Sequence, residues 1–175
     1  MRTPGRLLRS NRSGSAAVEM ALCMPFLLAL MFGSAEAGNY FMDEHRLIKA
    51  VRDGARFAAR RPFSDYTGCS TVSSGLITDT QNVVMNGYIT SGAKLIAPAI
   101  STSNVTVTTT CTGTAGGQNM LGIYRGRAGC GSASGCAQVV IVTAQVPYSS
   151  ILGSLGFNGL GMNINASSQA AVGGI

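Results

Sequence analysis

The fold is decided by residues 15–35, which read SAAVEMALCMPFLLALMFGSA. These 21 residues include one charged side chain, Glu19, and the 16 residues from 20 to 35 include none. About 20 residues of helix, rising 1.5 Å each, cross a hydrocarbon core about 30 Å thick. The sequence therefore predicts one membrane-spanning helix, which we assign to residues 15–38.

The charges flanking this block predict its orientation. Four arginines precede it, at positions 2, 6, 9 and 12, whereas acids and bases are mixed after it, from Asp43 to Lys49. An excess of basic residues favours the cytoplasmic side of a membrane. We therefore expect a basic leader over residues 1–14 to stay in the cytoplasm and the rest of the chain to be translocated.

The charge distribution excludes a typical cytosolic enzyme. The 175 residues carry 13 Lys+Arg and 7 Asp+Glu, so only 11% are charged, against about a quarter in ordinary globular domains. Sixteen of these twenty charges lie in residues 1–65. The net charge of +6 comes mostly from the leader and says little about the folded body.

A helical pattern continues beyond the apolar block, over residues 39–61. Apolar residues recur mainly at intervals of three, four and seven, and charged residues occupy much of the remaining surface. The pattern stops at Arg61-Pro62, because proline disfavours helix in the residue before it. The apolar positions are Tyr40, Phe41, Leu47, Ile48, Val51, Ala55, Ala58 and Ala59.

Residues 62–175 predict a small β-rich domain. The β-branched runs 105–110 and 138–146 indicate strands, and 163–172 is a weaker alternating candidate. Residues 76–90 suggest a short helix, weakened by Gly87. We expect an α+β fold in which a three-stranded antiparallel sheet packs against the N-terminal helix, because such a sheet buries too little alone.

The five cysteines divide into one and four. Cys23 lies in the apolar block and is interpreted as packing, whereas the other four lie on the translocated side, where disulfides persist. Four cysteines allow three connectivities. We favour Cys111–Cys136, because these residues flank facing ends of the two best strands, and this leaves Cys69–Cys130.

No motif predicts catalysis, a cofactor or a metal. The chain has one histidine, His45, and no Cys-x-x-Cys spacing, which argues against a zinc site. It has no phosphate-binding loop and no plausible Ser/His/acid set. The basic-aromatic stretch 124–127 is interpreted as a solvated loop tip, so no specific nucleic-acid partner is expected.

Three N-terminal arrangements fit the leader and apolar block. The first is a secretory signal cut after Ala37, the second an uncut signal anchor, and the third a leader cut on the cytoplasmic side so that the helix is retained. Glu19 favours the third, since a carboxylate inside a bilayer costs several kcal/mol unless it is paired or neutralised. A cut between Gly14 and Ser15 would create an α-amino group four residues before Glu19, on the same helix face. Alternatively, Glu19 lies at the cytoplasmic interface, ionised or protonated.

The N-terminal motif resembles a known family. The stretch RSGSAAVEMAL at 12–22, then Pro25, Gly33 and Glu36-x-Gly38, is similar to the start of TadE-like proteins, as is the segment 47–59. These are minor pilins or pseudopilins of the tight-adherence (Flp, type IVc) pilus system, and TadF-like proteins share the pattern.

The resemblance implies a type IV pilin-like fold and a function in pilus assembly, adhesion and surface attachment. It implies that a prepilin peptidase cuts after Gly14 and that Glu19 is the fifth-position glutamate of the mature chain. The expected partners are the bacterial inner membrane, prepilin peptidase and other pilin and Tad pilus components, with the C-terminal domain in the periplasm. The alternative function is a secreted carbohydrate- or surface-binding domain released after Ala37.

Overall fold

The computed structural model describes residues 12–90, 92, 100–112, 114–115, 118–119, 137–155 and 161–174. The chain divides into two compact units, Met1–Gly38 and Asn39–Ile175. The described helices are α1 (Arg12–Ala59) and α2 (Ser74–Asn86), and short 3-10 turns lie at Phe63–Asp65, Thr102–Asn104 and Ile151–Leu155. The described strands are β1 (Tyr66–Thr67), β2 (Thr71–Val72), β3 (Val105–Thr112), β4 (Thr114–Ala115), β5 (Gln118–Asn119), β6 (Ala137–Pro147) and β7 (Asn163–Ala171).

Helix α1 confirms the predicted N-terminal helix and its continuation. Within the C-terminal unit, Leu47, Val51, Ala55 and Ala58 are fully buried on one face of α1, at spacings of three and four. The helix ends where the sequence predicts, because the amide of Arg61 bonds to the Ala58 carbonyl (3.0 Å) and Pro62 follows.

Helix α2 confirms the predicted short helix, but its ends are set by caps. The Ser73 hydroxyl accepts a hydrogen bond from the Leu76 amide at the N-terminus (3.3 Å). At the C-terminus Gly87 adopts a left-handed conformation (φ 77°) and its amide bonds to the Val83 carbonyl. The helix therefore stops at Asn86 rather than near residue 90, since glycine takes this conformation at no steric cost.

The predicted three-stranded antiparallel sheet is confirmed, in the order β3-β6-β7. Strand β6 is central and pairs with β3 from Val105↔Ala144 to Thr112↔Ala137, and with β7 from Val139↔Ala171 to Pro147↔Asn163. Strand β3 alternates buried Val105, Val107 and Thr109 with exposed threonines, as a strand with one solvated face should. The segment between α1 and α2 contains the two-stranded β1–β2 ribbon.

One hydrophobic core joins the sheet, α2 and the C-terminal part of α1. Val140, Val142 and Ala144 on β6 are fully buried, as are Leu76 and Val84 on α2. The predicted packing of the sheet against the helix face that begins at Leu47 is thus confirmed within the C-terminal unit. Burying each of these valine and leucine side chains contributes about 1.5–3 kcal/mol.

The C-terminal unit has two distinct ends along α1. At the proximal end, where the chain enters, the side-chain amide of Asn39 donates to the Tyr148 hydroxyl (3.1 Å). At the distal end, the Gly173 amide donates to the Ala59 carbonyl (2.8 Å) and the Tyr66 hydroxyl to the Ala58 carbonyl (2.6 Å). Strand β7 therefore runs alongside α1 in the same direction.

The predicted disulfide pairing is wrong. Cys69 is bonded to Cys111, which rules out both Cys111–Cys136 and Cys69–Cys130. The physical reason is the position of the β1–β2 loop at the distal end, where the Gln138 side chain donates to the Gly68 carbonyl (2.6 Å). Because Gln138 is the register partner of Cys111, this contact brings Cys69 to Cys111. Cys130 and Cys136 lie outside the described residues.

Candidate functional site

The candidate processing and assembly residues lie in the first turns of α1. Ser15 and Glu19 are one turn apart and exposed, and the Ser15 hydroxyl donates to a Glu19 carboxylate oxygen (3.3 Å). Gly14 directly precedes Ser15, and apart from its chain neighbours and the adjacent helix backbone no atom of the described chain lies within 4 Å of the place where its Cβ would be. The spacing predicted from the sequence thus places Ser15 and Glu19 in contact.

The segment after Glu19 presents an unbroken apolar surface. Helix α1 is long and apolar enough, by length and composition, to cross a membrane, and its apolar part is exposed. Pro25 lies inside the helix.

Small residues near the end of this segment leave the helix surface open. Apart from the chain neighbours and the adjacent helix backbone, no atom of the described chain lies within 4 Å of a Cβ built at Gly33 or Gly38. The Ser34 hydroxyl bonds to the Met31 carbonyl one turn back (2.9 Å), so its polar group is satisfied within the helix. Such a surface permits close approach of another helix.

The charged stretch of α1 lies on the outside of the C-terminal unit. His45, Lys49, Arg52 and Arg56 are exposed along the helix, with Asp53 among them. The Arg46 guanidinium pairs with Asp43 (3.3 Å). Exposed pairs of this kind contribute little to stability, typically below about 1 kcal/mol.

Arg61 holds the end of α1 against the following segments. Its guanidinium lies 3.4 Å from the Asp65 carboxylate, 3.7 Å from that of Asp79, and 5.6 Å from the centre of the Phe57 ring. Beside it, burial and the Asp65 carboxylate raise the pKa of the Tyr66 phenol, and Arg61 opposes this rise. The phenol therefore remains a hydrogen-bond donor to Ala58 over the physiological pH range, which is a structural role.

The described residues contain no group of three or more His, Cys, Asp or Glu side chains that could hold a metal ion. Cys23 is exposed and has a free thiol. The basic-aromatic stretch 124–127 lies outside the described residues.

A shallow groove of about 280 Å³ lies at the start of β3, the end of β6 and the start of β7. Its lining is neutral and polar and contains no aromatic side chain on which a sugar ring could stack. The groove therefore does not favour the carbohydrate-binding alternative. The lining residues are Ser103, Asn104, Thr106, Thr143, Gln145, Pro147 and Asn163.

Two features of the C-terminal unit were not predicted from the sequence. One is the proximal contact of Asn39 with Tyr148, which are 109 residues apart and carry no local pattern that pairs them. The other is the close approach of the two helices at Gly54, where an added Cβ would overlap Val84. A glycine in the middle of a strongly helical pattern was the available signal for the second.

The family model of TadE-like proteins matches residues 14–56, beginning at Gly14 and ending within the charged stretch of α1. No curated protein and no solved structure matches the chain. The N-terminal resemblance to TadE-like proteins is thus confirmed. This family is associated with the Tad pilus system and is not an enzyme family.

Proposed function

We propose that this chain, TadE-like over residues 14–56, is a minor pilin or pseudopilin that acts in the assembly of a Flp/Tad-type pilus. In this proposal a prepilin peptidase cuts after Gly14, residues 15–38 anchor the mature chain in the inner membrane, and residues 62–175 form its periplasmic domain. Its partners are the other pilin and Tad pilus components, and its role serves adhesion and surface attachment.

The observation that carries the proposal is the placement of Glu19 on α1. It is the one charged side chain between Ser15 and Ala35, and it lies one helical turn from the residue that would become the new N-terminus. A carboxylate near the N-terminus of a helix is favoured by the helix dipole. Farther into the bilayer, its charge requires a partner.

Cleavage after Gly14 would supply that partner. The α-amino group released at Ser15 would carry a positive charge four residues from Glu19, close enough to pair within one helix or between staggered neighbours. A subunit whose carboxylate pairs with the amine of a neighbour would be more stable in the membrane than an isolated subunit. Glu19 would thereby fix the axial position of this subunit beside another helix.

The N-terminal residue of the mature protein tests the processing step. We expect Ser15, in a chain shortened by 14 residues, as read by N-terminal sequencing and intact mass. Gly14→Val should leave the full-length precursor, because a branched side chain would stand at the scissile bond, whereas Gly5→Val in the same leader should be processed normally. A mature chain that starts at Gly38 would instead support the secreted binding domain, and normal cleavage of Gly14→Val would refute the proposed site.

Substituting Glu19 tests the assembly step separately. Glu19→Ala should be cleaved normally but recovered in sheared pilus or pilus-base fractions about 10- to 100-fold less, since a charge-assisted hydrogen bond contributes about 1.5–3 kcal/mol. Glu19→Asp keeps the charge and should be incorporated into these fractions in part. Ser15→Ala removes the hydroxyl but not the new amine, so we expect nearly normal incorporation. Unchanged incorporation of Glu19→Ala would remove the proposed role of the carboxylate.

A further inference from the structure

The outer side of helix α1 in the C-terminal unit carries a row of basic side chains that the proposed function does not use. We call it the basic ridge and define it as Lys49, Arg52 and Arg56. All three are exposed, and they recur at intervals of three and four, so they share one face of the helix, away from the buried face that begins at Leu47. Arg60, also exposed, follows four residues later, just after the helix ends.

The charges of the ridge are not neutralised within the C-terminal unit. Elsewhere in this unit the Arg46 guanidinium pairs with Asp43 (3.3 Å) and that of Arg61 with Asp65 (3.4 Å). In the part of the chain that the structure describes, no carboxylate forms an ion pair with any side chain of the ridge. The ridge therefore presents positive charges that are available to the negative charges of another molecule.

A shallow groove of about 290 Å³ runs along the ridge. It is lined by the three ridge side chains together with His45, Ile48 and Asp53, and the partly buried Ile48 adds an apolar contact beside the charges. The helix rises about 10.5 Å, or two turns, from Lys49 to Arg56. A helix laid along this groove can place one carboxylate against each ridge side chain, since acidic residues at intervals of three and four have the same spacing.

The chemistry of the groove favours an acidic protein over a nucleic acid. The guanidinium forks of the ridge arginines match carboxylates and phosphates equally well. Asp53, however, lies in the same groove and would repel the phosphate that a nucleic acid carries at every nucleotide. A protein helix can place a neutral or basic residue opposite Asp53. The lining also contains no Phe, Tyr or Trp on which bases could stack.

A second copy of this chain does not supply the complementary charge. Residues 39–175 contain nine Lys+Arg and five Asp+Glu, so the C-terminal unit is itself positive. Three of these five acids are already ion-paired within the unit, and a fourth, Asp53, lies in the groove itself. The described surface of the unit thus offers no row of acids to the ridge of another copy, and charge complementarity favours a different molecule.

We propose that the basic ridge binds an acidic helix of a different protein, whose carboxylates recur at intervals of three and four and lie against Lys49, Arg52 and Arg56. The inference rests on the proposed function in one respect, because it takes this protein to be another component of the pilus. The contact itself requires only the C-terminal unit. Its partner is defined by a row of acidic side chains on one helix face.

Binding of a designed peptide tests the ridge in the full chain, kept in nonionic detergent micelles. The probe has about 20 residues, enough to form a helix, with glutamates on one face at intervals of three and four. A comparison peptide of the same composition distributes its glutamates around the helix. The variants are Arg52→Gln/Arg56→Gln in the ridge and Thr108→Glu/Gln169→Glu on the exposed face of the sheet, which change the net charge equally. Fluorescence anisotropy of the labelled peptide gives the dissociation constant.

We expect Arg52→Gln/Arg56→Gln to bind the one-faced peptide about 10-fold more weakly, because two exposed ion pairs are lost. Thr108→Glu/Gln169→Glu should change binding by less than about 2-fold, since its charges lie beyond the screening length. The comparison peptide should bind more weakly than the one-faced peptide. Equal effects of the two variants, or equal binding of the two peptides, would overturn the inference. Tighter binding of single-stranded DNA of the same net charge would indicate a general polyanion site and refute the acidic helix.

Recovery of the same chains in sheared pilus fractions separates this inference from the proposed function. If both hold, Arg52→Gln/Arg56→Gln should be recovered less than the wild type and Thr108→Glu/Gln169→Glu as well as the wild type. A wild-type chain absent from these fractions would refute the proposed function, whatever the peptides show. A wild-type chain that is present there, but whose peptide binding does not depend on the ridge, would overturn the ridge inference alone.

Discussion

Replacing Gly54 with leucine is expected to prevent native packing of the C-terminal unit. Gly54 lies in α1 where α2 crosses it, and even an added Cβ would overlap a methyl group of Val84, a side chain with no exposed surface. Valine has few alternative rotamers and its buried surroundings are close-packed, so the overlap can be relieved only by moving a helix. The leucine variant should lose the cooperative unfolding transition. The measurement is the tyrosine fluorescence of the full chain in detergent micelles.

Graded substitutions separate this steric effect from a change in helix propensity. Overpacking in Gly54→Ala should lower the free energy of unfolding by about 1–3 kcal/mol. The higher helix propensity of alanine offsets about 1 kcal/mol of this loss. Gly75→Ala in α2 is the matched control and should be neutral or stabilising, since its added Cβ would have only its chain neighbours and the adjacent helix backbone within 4 Å among the described residues. The double variant Gly54→Ala/Val84→Ala should recover part of the free energy of unfolding that Gly54→Ala loses. A Gly54→Ala variant as stable as Gly75→Ala would contradict the close helix crossing.

Removing the Cys69–Cys111 disulfide is expected to lower the free energy of unfolding by the second large amount. The bond closes a loop with a sequence separation of 42 residues. Restricting the unfolded chain by a loop of this length contributes about 4 kcal/mol, if loop entropy dominates. The double variant Cys69→Ser/Cys111→Ser should therefore unfold at a markedly lower urea concentration than the oxidised wild type.

A second cysteine variant provides the control for this experiment. Cys23 is free and exposed in the N-terminal unit, so Cys23→Ser should unfold at the wild-type midpoint. The signal comes from tyrosines at both ends of the C-terminal unit, Tyr40 and Tyr148 at one end and Tyr66 at the other. An unchanged midpoint in the double variant would show that the loop is held by its other contacts alone.

Local patterns account for the parts of the fold that were predicted correctly. The uncharged block and its periodic continuation predicted α1, and the Pro62 stop lies where the helix ends. The β-branched runs predicted β3 and β6, and weaker alternation predicted β7. Each of these features depends on neighbouring residues, because helical and extended backbones place side chains with periods of 3.6 and 2.

The candidate processing site also depends on residues that are close together in the sequence. Gly14, Ser15 and Glu19 lie within six residues of one another, so their relation can be inferred from sequence spacing and helix geometry alone. The roles assigned to them stay predictions until the N-terminus of the mature chain and the incorporation of Glu19→Ala are measured. The disulfide was mispredicted because strand ends were considered without the β1–β2 loop, which docks at the distal end through Gln138.

The sequence by itself determined that this chain has a long N-terminal helix, apolar first and amphipathic afterwards, followed by a small antiparallel sheet. Only the tertiary structure decided that Cys69 pairs with Cys111 and that α2 approaches α1 closely at Gly54. It also decided that the Tyr40 and Tyr148 rings are in contact at the proximal end. The physical reason is sequence separation. Contacts between residues tens of positions apart depend on how whole elements pack, and side-chain periodicity within one element does not specify them.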